Sequence, residues 1–423
     1  MYKIVILLFV YFAFPLVIIY MTRRWSLFRK IGSIALAYAF GLIFGTSGIL
    51  PQGSEAYRFV LQGELSLTKA EMETLLSKGT VSKDDLFINT IAVIQENLLN
   101  VTVLLAFPLL LFSLNFRKWL KFAKEGLISM ILALVSILAI IASGYFIFRD
   151  VVPDSWKVAG MLVGVYTGGT PNMASLKVAL DVDPSLFLMT STYDIIVGAA
   201  TLIFFITAGP RVFRAFLPPF KREGININTD EAVAEAEGFE DFSGMFGKER
   251  VLPLLKALGI SLLILALSVG LSLLAPKEFE NVIVILSVTT LAVMASFIKW
   301  LNRTEKTFQF GMYFIIVFSF AVASKSDLRV IFDIGYLGLF AFVLYVYFGS
   351  LLLHLLLAKI FKVNADDYLI TTTAFIYSPP FVPVVAAAMK NKDVIITGIT
   401  VGILGYVIGN YLGPLIAYFL KGF

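Results

Sequence analysis

Apolar residues run along this chain in stretches of about 20, separated by short polar breaks. Runs of that length cross a hydrocarbon core roughly 30 Å thick. Lipid offers no partner to a free backbone group, so each run is predicted to be a helix, and the alternation of a membrane β-barrel is absent. The first half offers segments 2–22, 31–51, 86–113, 126–148, 157–181 and 184–208. A polar linker, 209–250, follows, with an acidic run over 230–241. The second half offers 252–275, 282–299, 307–324, 330–358, 368–390 and 392–419. Two halves of six segments each, 1–208 and 251–423, joined by one linker, point to internal duplication.

Composition agrees with the pattern. Of 423 residues, 59% are hydrophobic and 15% charged, where a soluble domain keeps about a quarter charged. With no cysteine, a disulfide framework, a thiol nucleophile and a Cys-ligated metal are excluded. The single histidine, His354, leaves no material for histidine metal sites or Ser-His-Asp catalysis. No enzymatic activity and no cofactor are expected. The net charge of +5 calls for no nucleic-acid partner, because cytoplasmic loops of membrane proteins are basic anyway. The first apolar run is followed directly by Arg23 and Arg24 rather than by a small-residue cleavage site, so it reads as an uncleaved helix.

At an offset of 211, Val165-Tyr166-Thr167 falls on Ile376-Tyr377-Ser378, and both triplets lead into helix breakers. The first breaker is Gly168-Gly169-Thr170-Pro171-Asn172, the second Pro379-Pro380-Phe381-Val382-Pro383. Charge then decides the threading. Arg23, Arg24, Arg29 and Lys30 place the first loop inside, and the basic linker should also be inside; six crossings per half cannot satisfy both. The conflict disappears if 157–181 and 368–390 are re-entrant hairpins broken at the glycines and the prolines. The basic loops 117–124, 299–306, 359–362 and 390–392 then lie inside, with about 21 Lys/Arg inside against about 11 outside. The loop 52–85 falls outside. The predicted fold is an all-α polytopic membrane protein with two inverted repeats, each of five transmembrane helices plus one broken hairpin. Both termini are then outside an inner (cell) membrane. Arms of about 10–12 residues reach about 15–18 Å, so both tips approach the midplane, the inverted-repeat transporter pattern.

The candidate solute site is Thr167, Gly168, Gly169, Thr170, Pro171 and Asn172, with Ser378, Pro379 and Pro380 as counterpart. Unwound carbonyls can ligate Na⁺, and freed N–H groups of a returning arm can hold an anion. Asp194, after Thr192, lies about ten residues into its segment, and an intramembrane carboxylate is by default a functional candidate. It can ligate Na⁺, with Thr170 and Asn172, or carry a proton; hydrogen bonding to a neighbouring helix is the structural alternative. Glu96 and Asn100 share a helix face and form a second candidate cation site or polar glue between helices. Lys325, Asp327, Arg329 and His354 read as interfacial.

Tyr-Thr-Gly-Gly-Thr-Pro-Asn-Met-Ala at 166–174, followed by Ser191-Thr192-Tyr193-Asp194, resembles the membrane-protein family called domain of unknown function 819. The likeness covers nearly the whole chain. That family is grouped with glutamate:sodium symporters, bile-acid:sodium symporters and cation/proton antiporters. The resemblance implies a transport domain moving against a scaffold, coupled to Na⁺ or H⁺. The proline-rich second breaker departs from the glycine-rich and polar tips of the sodium symporters, which counts against Na⁺ ligation there. The expected function is ion-coupled secondary transport of a small anionic organic solute by a homodimer embedded in lipid. A cation/proton antiporter is the alternative, and a membrane-embedded enzyme lacks a catalytic constellation. No P-loop occurs for ATP-driven transport.

Overall fold

The computed structural model describes residues 2–25, 28, 31–50, 53–61, 66–113, 116–220, 238–239, 241–325 and 334–423. Among these every regular element is a helix. In chain order they are α1 (Tyr2–Arg24), α2 (Ser33–Thr46), α3 (Glu55–Leu61), α4 (Lys69–Ser77), α5 (Lys83–Phe112), α6 (Phe116–Phe148) and α7 (Ser155–Ala179). Next come α8 (Pro184–Thr207), α9 (Gly209–Phe216), α10 (Lys248–Ser272), α11 (Glu280–Ser296), α12 (Lys299–Asn302) and α13 (Thr307–Ala323). The series ends with α14 (Leu337–Ile360), α15 (Ala365–Tyr377), α16 (Val382–Met389) and α17 (Ile395–Lys421).

Among the described residues, eight helices are long and apolar enough to cross a membrane: α1, α5, α6, α8, α10, α11 (with the 3₁₀ turn before it), α14 and α17. Shorter apolar helices, α2 with 14 residues and α13 with 17, occupy the expected segments 31–51 and 307–324. The basic stretch 117–124, expected as a loop, forms the first turns of α6. Arg29, Lys30 and residues 221–237 of the linker, which enter the threading argument, and Asp327 and Arg329, read as interfacial, lie outside the described residues.

The chain divides into two compact units. The first comprises residues 1–106, 182–189 and 312–333. In it the expected outer loop 52–85 carries α3 and α4 around a small core of Tyr57, Leu67, Met72 and Val81. A capping box starts α4: Thr68 accepts from the Glu71 N–H while the Glu71 carboxylate accepts from Thr68. Two residues one turn apart on α5 hold the loop. Asp85 accepts from Ser54 N at 2.8 Å and from Ser82 N at 2.8 Å. Asn89 accepts from Tyr57 Oη at 2.9 Å and bonds both backbone groups of Leu67. Further along α5, Gln95 Nε2 donates to Tyr11 Oη at 2.5 Å, and Tyr11 in turn meets Ser324 Oγ at 2.8 Å.

The second unit comprises residues 107–181, 190–311 and 334–423 and holds both interrupted segments. In α7 the helical path breaks at Gly169, with φ 70° and ψ −163°. The chain reverses there. Lys157 Nζ donates to Asp181 O at 2.8 Å, whereas a straight helix would hold these residues about 36 Å apart. The second segment breaks at Ser378, with φ 70° and ψ 168°, between α15 and α16. There too the ends return to each other: Asn391 Nδ2 donates to Asp366 Oδ2 at 2.8 Å. Arg214 of α9 closes this base with a bidentate pair to Asp366, both contacts at 2.9 Å, and a third bond to Met389 O.

The two interrupted segments share a backbone pattern. Among the positive-φ residues, Asp154, Gly169 and Asp181 bracket the first interrupted segment and Lys362, Ser378 and Lys390 the second. The spacings are 15 and 12 residues against 16 and 12. These mark entry, tip and exit of each hairpin. The tips are thus 209 residues apart, two fewer than the offset that superposes the tyrosines.

α17 is the surface on which both hairpins lie. Gly398, Gly402, Gly405, Gly409 and Gly413 fall on one face of it, with the first two against the second hairpin and the others against the first. A Cβ at Gly405 would strike the Thr167 carbonyl, and one at Gly409 would strike Thr167 Oγ1 and Asn172 Nδ2. Backbone can approach backbone this closely only over small residues.

Candidate ion and solute site

The two hairpin tips meet. Ser378 Oγ donates to Gly168 O at 3.1 Å, and a Cβ on Gly169 would collide with Ser378 Oγ. Both turning residues sit in a backbone region that glycine alone enters without strain, and Ser378 holds it with a side chain. Pro379 begins the returning path of the second hairpin and is buried, and Pro380 is half-buried. In the first hairpin Pro171 is buried and Thr170 half-buried just beyond the tip.

The expected oxygen ligands divide into committed and uncommitted groups. Thr167 Oγ1 turns back on its own helix, donating to Val163 O at 2.8 Å and sitting 3.1 Å from Gly164 O. Asn172 Nδ2 donates to Gly405 O at 2.9 Å, while Asn172 Oδ1 is buried without a hydrogen-bond partner. One turn on, Ser175 Oγ lies 2.5 Å from Asn410 Oδ1, and Asn410 Nδ2 donates to Thr289 Oγ1 at 3.0 Å. This buried chain ties the returning arm through α17 to α11.

Asp194 lies on α8, with Thr192 half-buried beside it. No hydrogen bond joins Asp194 to Thr167, Thr170 or Asn172. Its surroundings are phenolic instead: the Asp194 charge is felt by Tyr166 from the first hairpin, Tyr377 from the second and Tyr347 from α14, and Tyr166 interacts with its carboxylate directly. Tyr377 Oη donates to Gly198 O at 2.8 Å and lies 2.6 Å from Tyr347 Oη. The Tyr166 ring stands edge-on to Tyr347, with centroids 5.5 Å apart. Tyr166 Oη and Asp194 Oδ1 are both buried, and the two side chains interact with each other.

The three tyrosines and the Gly198 carbonyl were not among the residues singled out by sequence. Their signal was present in part, since Tyr166 falls on Tyr377 at the 211-residue offset. Tyr347 had no such marker.

The second expected cation site lies in the other unit. Glu96 accepts from Ser66 Oγ at 3.3 Å, so it faces the α3–α4 loop region, and Asn100 is half-buried one turn further on. His354, read from sequence as interfacial, is packed inside the protein. It is 3% exposed, its ring lies 4.6 Å from that of Tyr368, and Nδ1 is 3.2 Å from Thr372 Oγ1 on the second hairpin. A cavity lined by His354, Thr372, Ser350 and Ile376 adjoins it. Among the described residues no group of three or more His, Cys, Asp or Glu side chains could hold a metal ion.

Outside the spans, charge settles locally. At the linker's far end, burial alone would raise the Asp241 carboxyl, but Ser243 and Lys306 outweigh it and hold it at about 2. Lys306 Nζ lies 2.9 Å from Asp241 Oδ2. The Asp366 carboxylate pushes the Arg214 guanidinium up.

Helices of spanning length and hairpins meeting over a glycine-lined helix define a polytopic helical membrane protein. The chain belongs to the family described as protein of unknown function DUF819, whose profile matches residues 75–423. It is similar to the uncharacterized membrane protein YjcL of Bacillus subtilis (strain 168), with 24% identity over 348 residues, covering 78% of this chain and 84% of that one.

Proposed function

We propose that the protein is an ion-coupled secondary transporter of a small anionic organic solute, using Na⁺ or H⁺. The observation that carries this reading is the tip-to-tip contact of the two hairpins, Ser378 to Gly168, in the unit that also places Asp194 against a tyrosine from each hairpin. Broken helices that meet end to end offer free N–H groups to an anion and free carbonyls to a cation. A carboxylate at that depth supplies the charge to couple them.

In this reading the two halves are inverted repeats and the hairpins are re-entrant from opposite faces. The hairpin bases support it. The left-handed entry and exit residues are Asp154 and Asp181 in the first hairpin but Lys362 and Lys390 in the second. Basic residues favour the cytoplasmic face, so the second base lies inside and the first outside. The hairpin-bearing body moves against a scaffold, as in the symporter and antiporter group that the sequence motif resembles, and the protein works as a homodimer in the cell membrane.

A cation/proton antiporter is the second reading, favoured by the same Asp194: no ion pair reaches it among the described residues. Reconstituted vesicles separate the two. A solute identified by thermal-shift screening should accumulate when a Na⁺ or pH gradient is imposed, and Asp194→Asn should abolish the gradient dependence. Cation-for-proton exchange without any solute would replace the first reading with the second, and neither activity in folded protein would sink both.

A further inference from the structure

The far end of the linker is inserted into the protein. Phe239, Phe242 and Met245 are buried, in a stretch whose neighbours Asp241, Gly244 and Phe246 are exposed. Polar bonds pin it. Gln309 Nε2, on a buried side chain, donates to Gly238 O. Lys306 Nζ donates to Asp241 O at 2.6 Å and to Asp241 Oδ2 at 2.9 Å. A tether that only joined two halves would stay at the surface and bury no aromatic ring.

The insertion reaches the level of the hairpin tips. The Phe239 ring lies 4.5 Å from that of Phe308 in the first turn of α13, and Phe308 lies 6.3 Å from Tyr406 of α17, centroid to centroid. α17 starts at Ile395, just past Asn391 at the base of the second hairpin. Tyr406 stands about 16 Å further along the axis. On the same turn, Gly402 and Gly405 face Pro379 and the Thr167 carbonyl. A side-chain hydrogen bond joins Tyr406 to Ser378, whose Oγ donates to Gly168 O. Phe239, Phe308, Tyr406 and Ser378 thus form a continuous line of contacts from the linker to the point where the hairpins meet. All four belong to the second unit.

We propose that Phe239 with residues 241–245 is a strap that governs the hairpin tips. Docked, it backs Phe308 against Tyr406 and keeps the tips together; released, it lets them part. The strap is a brake on the site, seated on the cytoplasmic side in the orientation given above. Its purpose rests on the transporter reading, but parting of the tips is measurable without any solute. The hold is made of packed rings and one hydrogen bond, so it is graded by the volume filled at position 239.

The test uses the full chain in lipid nanodiscs, with Thr170→Cys as reporter. The chain has no cysteine of its own, and Thr170 is half-buried just beyond the first tip. N-ethylmaleimide is the probe, and its labelling rate reads how often the tips part. Phe239→Ala should raise that rate at least about fivefold, within the range of coupling carried by packed side chains. Phe239→Leu, which fills more of the seat, should fall between Ala and wild type, and it keeps the test decisive if the Ala variant does not fold. Phe246→Ala removes the same ring from an exposed neighbour and should stay within about twofold of wild type. In a Tyr406→Phe background, which lacks the bond to Ser378, Phe239→Ala should change the rate by less than about twofold. Wild-type labelling in the folded Phe239 variants overturns the proposal. An equal rise in Phe239→Ala and Phe246→Ala does so too, as does a full effect in the Tyr406→Phe background. If the strap passes these tests and the vesicles show no uptake, the transporter reading fails alone.

Discussion

Gly169 and Ser378, 209 positions apart, adopt nearly the same unusual backbone conformation and touch at the point where the two hairpins reverse. One needs to be glycine because its neighbour's hydroxyl occupies the space of a Cβ. The other carries the hydroxyl that makes the contact.

Gly169→Ala should therefore lower stability by about 1–3 kcal/mol, from backbone strain and the displaced serine together. Thermal unfolding in mild detergent checks it. A variant as stable as wild type would mean that the tips are not packed against each other.

Two glycines in other helices should behave oppositely. At Gly405 a Cβ meets the Thr167 carbonyl, which cannot swing aside, so Gly405→Ala should destabilise and weaken solute binding. At Gly270 of α10 a Cβ meets nothing within 4 Å. Gly270→Ala should stabilise by about 1 kcal/mol, the helix-propensity difference. Measuring both in one unfolding series separates close packing from backbone entropy; equal effects would contradict the assignment of the α17 face.

The Asp241–Lys306 contact predicts a pH dependence confined to the linker's end. A folded value of about 2, below the ordinary 3.8, means the carboxylate stabilises the segment at neutral pH. That contribution is complete above about pH 4 and is lost as pH falls toward 2. Asp241 is half exposed, so the effect is small and weakened by salt. At pH 7, Asp241→Asn should speed hydrogen exchange of residues 241–250, and the difference should shrink as pH falls through about 2. A difference at pH 2 as large as that at pH 7 would assign the effect to something other than charge.

Topology is testable because the chain has no cysteine. Lys248→Cys, at the start of α10, should resist a membrane-impermeant thiol reagent in intact cells, and Glu73→Cys, exposed on α4, should react. The reverse pattern would invert the orientation, and labelling of both would break the inverted-repeat reading.

The helical segments were legible because lipid imposes one simple rule on length and polarity. The hairpin breaks were legible too, since Gly168-Gly169 and the Pro379-Pro380 pair interrupt otherwise apolar runs. What encircles Asp194 was not. Tyr347 comes from a helix with no interruption and no motif, and only tertiary packing brings it to the hairpins. Glu96 shows the converse limit: its place in α5 suggested a site, but the loop residue it meets, Ser66, is 30 positions away. The burial of His354 by Thr372 and Tyr368 of the second hairpin had no signal in its place near a helix end.

The Arg214 side chain grips Asp366 at the start of the second hairpin and Met389 O at its finish. With both feet of the loop held in one hand, its two legs cannot splay apart at the bottom. Only swinging as a whole, or bending near the proline tip, is left to it. Arg214 also lies two residues before the end of α9, so a pull on the chain that follows would bear on this clamp.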